Sequence, residues 1–187
     1  ISDLVSDVKI KFDSDKLEIV AMDPANVAMV VFRLLSSSFV EYDVKEGESI
    51  ILSLDSLKQV LGRSKASDSV IFELNEETNK LNIRFEGETK RNFNLSLLES
   101  VLGDQKVPEL DFPGSVELNT FVFNDAIDDM DIISDSIILN LSREGLMMES
   151  VGNTSDAKAN LSVKEDGNLV CSEDPIKSKY SIEYLKK

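Results

Sequence analysis

The sequence contains no histidine and only one cysteine, Cys171. The absence of histidine removes the commonest general base and the commonest metal ligand of proteins. One cysteine cannot form an internal disulfide or a cysteine-based metal site. An enzyme made from this chain would therefore depend on carboxylates, lysines and hydroxyl groups, and the sequence predicts no cofactor.

Long apolar runs are also lacking. No stretch of eighteen apolar residues occurs, so the sequence predicts no membrane-spanning helix, and no signal peptide is visible. Glycine-rich phosphate-binding patterns and the GxSxG and HExxH patterns are absent too. These absences favour an intracellular protein and leave no recognisable catalytic motif.

Basic residues are in the minority, with 20 Lys and Arg against 35 Asp and Glu and a formal net charge of −15. Because phosphate binding depends on Lys and Arg, this charge argues against a general affinity for nucleic acid. A role on DNA would have to depend on a local basic patch or on topology. The chain has 187 residues, 42% of them hydrophobic, which is enough for one large domain or two small ones.

Short segments with alternating apolar and polar residues dominate the first half of the chain. They predict strands at Val8–Phe12, Leu17–Ala21, Glu48–Leu54, Val70–Leu74, Leu81–Glu86 and Asn92–Leu97. The nearly continuous apolar run Val27–Leu34 predicts a buried strand. Apolar residues at helical spacing predict helices over Ile1–Val8 and Asp55–Arg63.

A polar segment with two prolines, Pro108 and Pro113, separates the two halves of the chain. Prolines in such surroundings mark a linker rather than a helix or a strand. We therefore predict a first domain over residues 1–98, a connector over residues 99–114 and a second domain over residues 115–187.

The second half repeats the first. Leu4–Asp7 recurs as Ile132–Asp135 and Ser53–Lys58 recurs as Ser181–Lys186, both 128 residues further on. The repeat predicts two α+β domains of similar topology. Its second copy opens with a strand and a helix over residues 115–130, which predicts that the first copy lacks its N-terminal strand and part of its first helix. By the same comparison, the second copy lacks its C-terminal strands.

Several segments resemble, in order, the sliding clamps of archaea and eukaryotes, the proliferating cell nuclear antigen family. Ala21–Val30 is similar to the family's AMDP-containing turn between two strands, and Phe39 and Tyr42 resemble its F…Y segment. Val107–Leu110 resembles the connector between its domains. Ile133–Asp135 and Tyr180–Leu185 resemble helical segments of its second domain. The likeness covers essentially the whole chain, and the archaeal form is the more similar.

The resemblance implies a ring of three subunits around duplex DNA, with helices lining the hole and antiparallel sheets outside. It implies a processivity factor without catalytic activity that tethers replication and repair enzymes. The implied partners are a replicative DNA polymerase, the clamp loader, flap endonuclease and DNA ligase, bound through PIP-box motifs. The implied location is the cytoplasm of an archaeon, or the nucleus in a eukaryote.

Three groups of site residues follow from the resemblance. A hydrophobic pocket for partner motifs is implied at Met22, Asn26, Val27, Met29, Val107, Pro108, Leu110 and Phe112. DNA-facing charges are implied at Lys58, Arg63, Lys65, Lys186 and Lys187. A subunit interface is implied between strands at Lys90–Leu97 and Asp156–Val163, with ion pairs between Arg63, Lys65 and Arg91 on one subunit and Asp125 and Asp129 on the next. Exposed pairs are weak, so strand pairing would carry most of the assembly.

Two alternatives remain open at this point. One is a clamp subunit specialised for damage signalling or for a ring of unlike subunits, because the helix predicted within the first part of the second copy carries Asp125, Asp128, Asp129 and Asp131 and no lysine or arginine. The other is a carboxylate-dependent metalloenzyme, because clustered carboxylates can bind Mg²⁺ or Ca²⁺.

Overall fold

The computed structural model describes residues 1–99, 102–162 and 168–187. The chain folds as two compact units, residues 1–108 and residues 109–187. The boundary between them falls inside the segment predicted to be the connector. Each unit has its own cluster of buried hydrophobic side chains.

An antiparallel sheet of four strands opens the first unit. Its strands are β1 (Asp7–Phe12), β2 (Lys16–Met22), β3 (Met29–Leu35) and β4 (Ser49–Ser53), in the order β3-β2-β1-β4. Successive side chains of a strand point to opposite faces. Val8 and Ile10 are accordingly buried, whereas Lys9 and Lys11 lie on the other face.

Strand β4 leads directly into helix α1 (Leu54–Leu61). The Ser53 hydroxyl caps this helix by accepting a hydrogen bond from the backbone N–H of Ser56 at 3.4 Å. A second antiparallel sheet follows, with β5 (Ser69–Asn75), β6 (Lys80–Glu86) and β7 (Lys90–Ser96) in sequence order. Its central strand supplies Ile83 and Phe85 to the core of the unit, and both are fully buried.

The second unit begins with β8 (Gly114–Val116) and helix α2 (Thr120–Asp131). A four-stranded antiparallel sheet follows in the order β11-β10-β9-β13, and β8 pairs with β12 separately. A short helix, α3, follows β13. The bounds of these elements are β9 (Ser136–Ser142), β10 (Gly145–Val151), β11 (Asp156–Leu161), β12 (Leu169–Cys171), β13 (Ile176–Ser181) and α3 (Ile182–Leu185).

The four-stranded sheets of the two units have the same strand order, with β9, β10, β11 and β13 in the places of β1, β2, β3 and β4. In both sheets the last of these strands leads directly into a helix, α1 or α3. Helices α1 and α3 begin at Leu54 and Ile182, which are 128 residues apart and both buried. In each copy the first helical N–H donates to the backbone carbonyl of the residue before the first strand of the sheet, Ser6 before β1 at 2.7 Å and Asp135 before β9 at 2.9 Å. The prediction of two α+β domains with similar topology is therefore confirmed.

Two local predictions are wrong. Residues 1–8 do not form the predicted helix but a single turn, in which the Val5 N–H donates to the Ile1 carbonyl at 3.1 Å. The reason is that Val8 belongs to β1, where it is buried and pairs with Leu52. Pairing with β4 therefore overrides the helical spacing of the apolar residues.

The apolar run 27–34 is not a buried strand either. Strand β3 starts at Met29, and each of its residues is at least partly exposed because β3 lies at the edge of its sheet. Smaller differences concern boundaries. Helix α1 ends at Leu61 rather than Arg63, and β11 is described only to Leu161, so Val163 of the predicted edge strand lies outside the described residues. Within the described ranges, no helix is long and apolar enough to cross a membrane.

Candidate functional site

The loop between β2 and β3 is organised by a buried aspartate, Asp23. Its carboxylate accepts hydrogen bonds from the backbone N–H groups of Ala25 at 3.0 Å, Val27 at 2.7 Å and Ala28 at 2.7 Å. Asn26 adopts a positive φ of 57°, which asparagine tolerates better than most residues. The loop is therefore fixed from within, and the Val27 side chain is left 65% exposed.

Four predicted pocket residues lie at this end of the first sheet. Met22 and Met29 are partners in the β2–β3 register and both are half-buried, whereas Asn26 and Val27 form the exposed loop between them. Val107 and Pro108 follow in the first unit on irregular, exposed backbone. These six residues share the first unit, and all except Asn26 are apolar, with the two methionines able to adapt to different partners.

The remaining two predicted pocket residues belong to the second unit. Leu110 is 62% exposed and Phe112 is 70% exposed, and both precede β8 on irregular backbone. Such exposed large apolar side chains on a polar segment are typical of protein-binding surfaces. Their role in partner binding stays a prediction.

Three predicted DNA-facing residues lie on or just after helix α1. The Lys58 ammonium lies 3.6 Å from an Asp3 carboxylate oxygen, and that of Lys65 lies 3.7 Å from Glu88. Arg63 is exposed, and its side chain forms no ion pair with any residue that the structure describes. All three side chains reach solvent, and two of the three have an acidic neighbour.

The predicted DNA-facing lysines of the second unit are paired more closely. Lys186 contacts two carboxylates of helix α2, Asp131 at 2.6 Å and Asp128 at 2.8 Å. The Lys186 ammonium donates hydrogen bonds to Asp128 and Asp131, and these bonds, that with Asp128 first, raise the pKa of Lys186. Lys187 contacts Glu183 at 2.9 Å. The cations of this surface are therefore opposed by acids of the same unit.

Arg91 is predicted to form an ion pair across the subunit interface, and the structure places it inside the first unit. It is the register partner of the fully buried Phe85, so it shares the inner face of its sheet. Its guanidinium pairs with Asp68, and it also lies 5.0 Å from the centre of the Phe85 ring. Its role across an interface stays a prediction.

The predicted acidic partners, Asp125 and Asp129, are exposed one turn apart on helix α2. Of the predicted edge strands, β7 and β11 are each the outermost strand of their sheet in the described part of the chain. In those same ranges, no group of three or more Asp, Glu, His or Cys side chains converges as a metal ion would require.

Sequence reasoning missed three aspartates that organise the predicted surfaces. Asp23 could have been found, since Asp followed by Pro favours a turn in which the carboxylate accepts from later N–H groups. The pairing of Asp68 with Arg91 carries no local signal, because the two residues are 23 positions apart. Asp104 contacts Lys9 at 2.9 Å and Lys11 at 3.0 Å, and those lysines lie on β1. These hydrogen bonds and charges hold the pKa of Asp104 below its usual value.

Known proteins match the chain along nearly its whole length. Residues 1–105 match the family model described as proliferating cell nuclear antigen, N-terminal domain. DNA polymerase sliding clamp 1 of Thermococcus kodakarensis is 34% identical over 98% of this chain and 74% of its own. The DNA polymerase sliding clamp of Nanoarchaeum equitans is 30% identical over 100% of this chain and 76% of its own.

A solved structure shows the same fold. A crystal structure of PCNA from Thermococcus kodakaraensis superposes with a TM-score of 0.91, covering 99% of this chain and 76% of the other. Its sequence identity is 22%, so this likeness concerns the fold alone.

Proposed function

Since the chain belongs to the proliferating cell nuclear antigen family of DNA polymerase sliding clamps, we propose that it is a clamp subunit that encircles duplex DNA and keeps a DNA polymerase on its template. The observation that carries the proposal is the match to relatives named DNA polymerase sliding clamp, at 28–34% identity and across both copies of the repeat. The role is that of a tether without catalysis. The archaeal relatives favour the cytoplasm as its location.

Topological binding reconciles the acidic charge of the chain with a role on DNA. A net charge of −15 opposes tight binding to phosphates, which depends on Lys and Arg. A closed ring needs no tight contact to remain on its substrate. Weak contacts without base recognition also allow sliding, because no position along the DNA is then preferred.

Ring closure would use the two exposed edge strands. Strand β7 of one subunit pairs with β11 of the next in this proposal, and three subunits complete the ring. Main-chain hydrogen bonds at exposed strand edges are a common means of association. Asp125 and Asp129 lie on helix α2 of the unit that contains β11, where they are available to cations near β7 of a neighbour.

Partner enzymes would dock on the first sheet's β2–β3 loop and on the connector. Met22, Val27 and Met29 offer apolar contact around a loop fixed by Asp23. Val107, Pro108, Leu110 and Phe112 extend the apolar surface in sequence, and Asn26 supplies a polar group. Aromatic anchors of a PIP-box peptide suit such a surface. The proposed partners are a replicative polymerase, the clamp loader, flap endonuclease and DNA ligase.

One observation favours a second candidate, a ring of unlike subunits. Helix α2 carries four aspartates and no basic residue, and two of these aspartates already pair with Lys186. A ring of three such subunits would have few unopposed cations facing DNA. More basic partner subunits would supply them.

The test is retention on DNA with and without free ends. The full-length protein is assembled on a primed, nicked circular plasmid with the clamp loader of the same organism. It should stay bound through gel filtration and leave after the plasmid is cut once. Light scattering should give a mass near three subunits. Equal retention on circular and cut DNA would contradict encirclement, and a monomer that closes only with other subunits would favour the mixed ring.

A further inference from the structure

Asp68 is a buried carboxylate that no predicted function uses. Its side chain is 2% exposed and lies in residues 62–68, the loop between α1 and β5. An ionised carboxylate in such a position is stable only when paired and hydrogen-bonded. Arg91 provides the pairing, and its side chain is itself only 24% exposed.

The Asp68–Arg91 pair connects the loop to strand β7. One Arg91 nitrogen donates to Asp68, and another donates to the backbone carbonyl of Arg63 at 2.7 Å. The same Asp68 oxygen accepts the backbone N–H of Lys65 at 2.8 Å. The loop is therefore bonded at both residues that carry its exposed cations, Arg63 and Lys65.

Packing around the pair leaves little room for another arrangement. A Cβ atom added to Gly87, in the turn between β6 and β7, would lie 2.2 Å from the Asp68 Oδ1 atom. The Nε atom of Arg91 is buried and has no hydrogen-bond partner among the described residues. The guanidinium is thus directed into its own unit, over the Phe85 ring.

We propose that Asp68 and Arg91 are positioning residues for subunit assembly: they fix the loop that presents Arg63 and Lys65 to the acidic helix of the neighbouring subunit. Arg91 then acts within its own unit instead of forming an ion pair across the interface. The inference rests on the proposed clamp assembly, and it removes one of the three predicted interface cations while adding Asp68.

The variant Asp68→Asn separates the two roles of Arg91 by the direction of its effect. If Arg91 paired with the neighbouring subunit, Asp68 would compete for it, and D68N would leave assembly unchanged or strengthen it. If Arg91 holds the loop, D68N should weaken assembly by roughly tenfold or more, the fold-change that corresponds to loss of one hydrogen bond to a charged group. Sedimentation of the full-length protein over a dilution series measures the dissociation constant.

Two further variants test the geometry of the pair. Arg91→Lys keeps the charge but loses the planar fork that reaches Asp68 and the Arg63 carbonyl together, so it should weaken assembly as much as D68N. Gly87→Ala changes no charge, but its Cβ atom would displace the Asp68 carboxylate, so this variant should also weaken assembly. The matched control is Arg84→Lys on the adjacent strand, whose guanidinium lies 3.6 Å from Glu73 on the exposed face, and it should assemble like the wild type.

A double-mutant comparison distinguishes loss of loop positioning from a general loss of stability. Arg63→Gln should weaken assembly in the wild type and have little further effect in D68N, because the loop no longer presents Arg63 there. Two effects that simply add would overturn the proposal. Amide hydrogen exchange at Lys65 completes the test, because the Lys65 N–H donates to Asp68 and its exchange rate reports on the loop even in a monomer. Faster exchange in D68N with no assembly by the wild type would refute the proposed function alone, and unchanged exchange would refute the role of Asp68.

Discussion

Lys186 provides a quantitative test of which cations contact DNA. Its ammonium lies between two carboxylates of helix α2, Asp128 and Asp131. Replacing both with asparagine, Asp128→Asn and Asp131→Asn, frees the ammonium and removes two negative charges. The control Asp125→Asn with Asp129→Asn makes the same charge change on the same helix, and those aspartates form no ion pair with the described residues. Because Asp125 and Asp129 are also proposed interface residues, both double variants are compared at equal trimer content, measured by light scattering. The comparison therefore isolates the release of one lysine.

The magnitude follows from the chemistry of counterion release. Helices α2 and α3 with the two residues after them carry five acidic and two basic side chains, a net charge of −3 that becomes −1 in either double variant. Each phosphate neutralised by a cation adds about 0.9 to the slope of log Kd against log salt concentration. We expect D128N/D131N to steepen this slope by about 0.9, and D125N/D129N to change the slope much less.

The assay is fluorescence anisotropy of a labelled duplex with the full-length protein at several salt concentrations. A third variant adds Lys186→Met to D128N/D131N, and it should return the slope to that of the control. Equal slopes in the two double variants would refute the reasoning, because the effect would then be the general charge alone. A steep slope that survives loss of Lys186 would refute it as well.

Three further predictions concern stability and the connector. Ile182→Ala should lower the free energy of unfolding by about 2–5 kcal/mol in a urea titration, because the side chain is 1% exposed and its removal leaves a cavity. Asp23→Ala should weaken binding of a PIP-box peptide in calorimetry and cost about 1–3 kcal/mol of stability, since three N–H groups lose their acceptor. Because the folded pKa of Asp104 is depressed, the stabilisation from its contacts with Lys9 and Lys11 is fully present above the ordinary carboxyl pKa of 3.8 and is lost as the pH falls through the lower folded value. The NMR shift of the Asp104 carboxyl carbon should therefore titrate below 3.8 and stay constant between pH 5 and 7.

The architecture was predictable because its signals are local and repeated. Alternating residues such as Val8, Lys9 and Ile10 define a half-buried strand without knowledge of its partner. The offset of 128 residues then places Leu54 and Ile182 at the start of equivalent helices. Sheet order could be inferred for both copies once one was known. The helix predicted at residues 1–8 failed because pairing of Val8 with Leu52 is a nonlocal interaction.

The surfaces were predictable in residue type but not in pairing. The sequence identifies Lys186 and Arg91 as cations on the right elements. It does not reveal that Lys186 meets Asp131 from 55 residues away, or that Arg91 meets Asp68 from 23 residues away. Partner choice depends on how sheets and helices pack, and no spacing along the chain encodes it. Counting cations therefore overestimates the charge available to an external partner.

Opposed cations suit a protein that must move along DNA. Of the five predicted DNA-facing residues, all four lysines have an acidic neighbour within 4.0 Å. Exposed ion pairs of this kind contribute about 0–1 kcal/mol each. In the proposed ring, a phosphate that passes one of these lysines would replace a carboxylate of similar charge, so the net change in free energy at each position would be small. Contacts that are weak at every position give a nearly level energy profile along the duplex, and a ring can then slide without being held at any site.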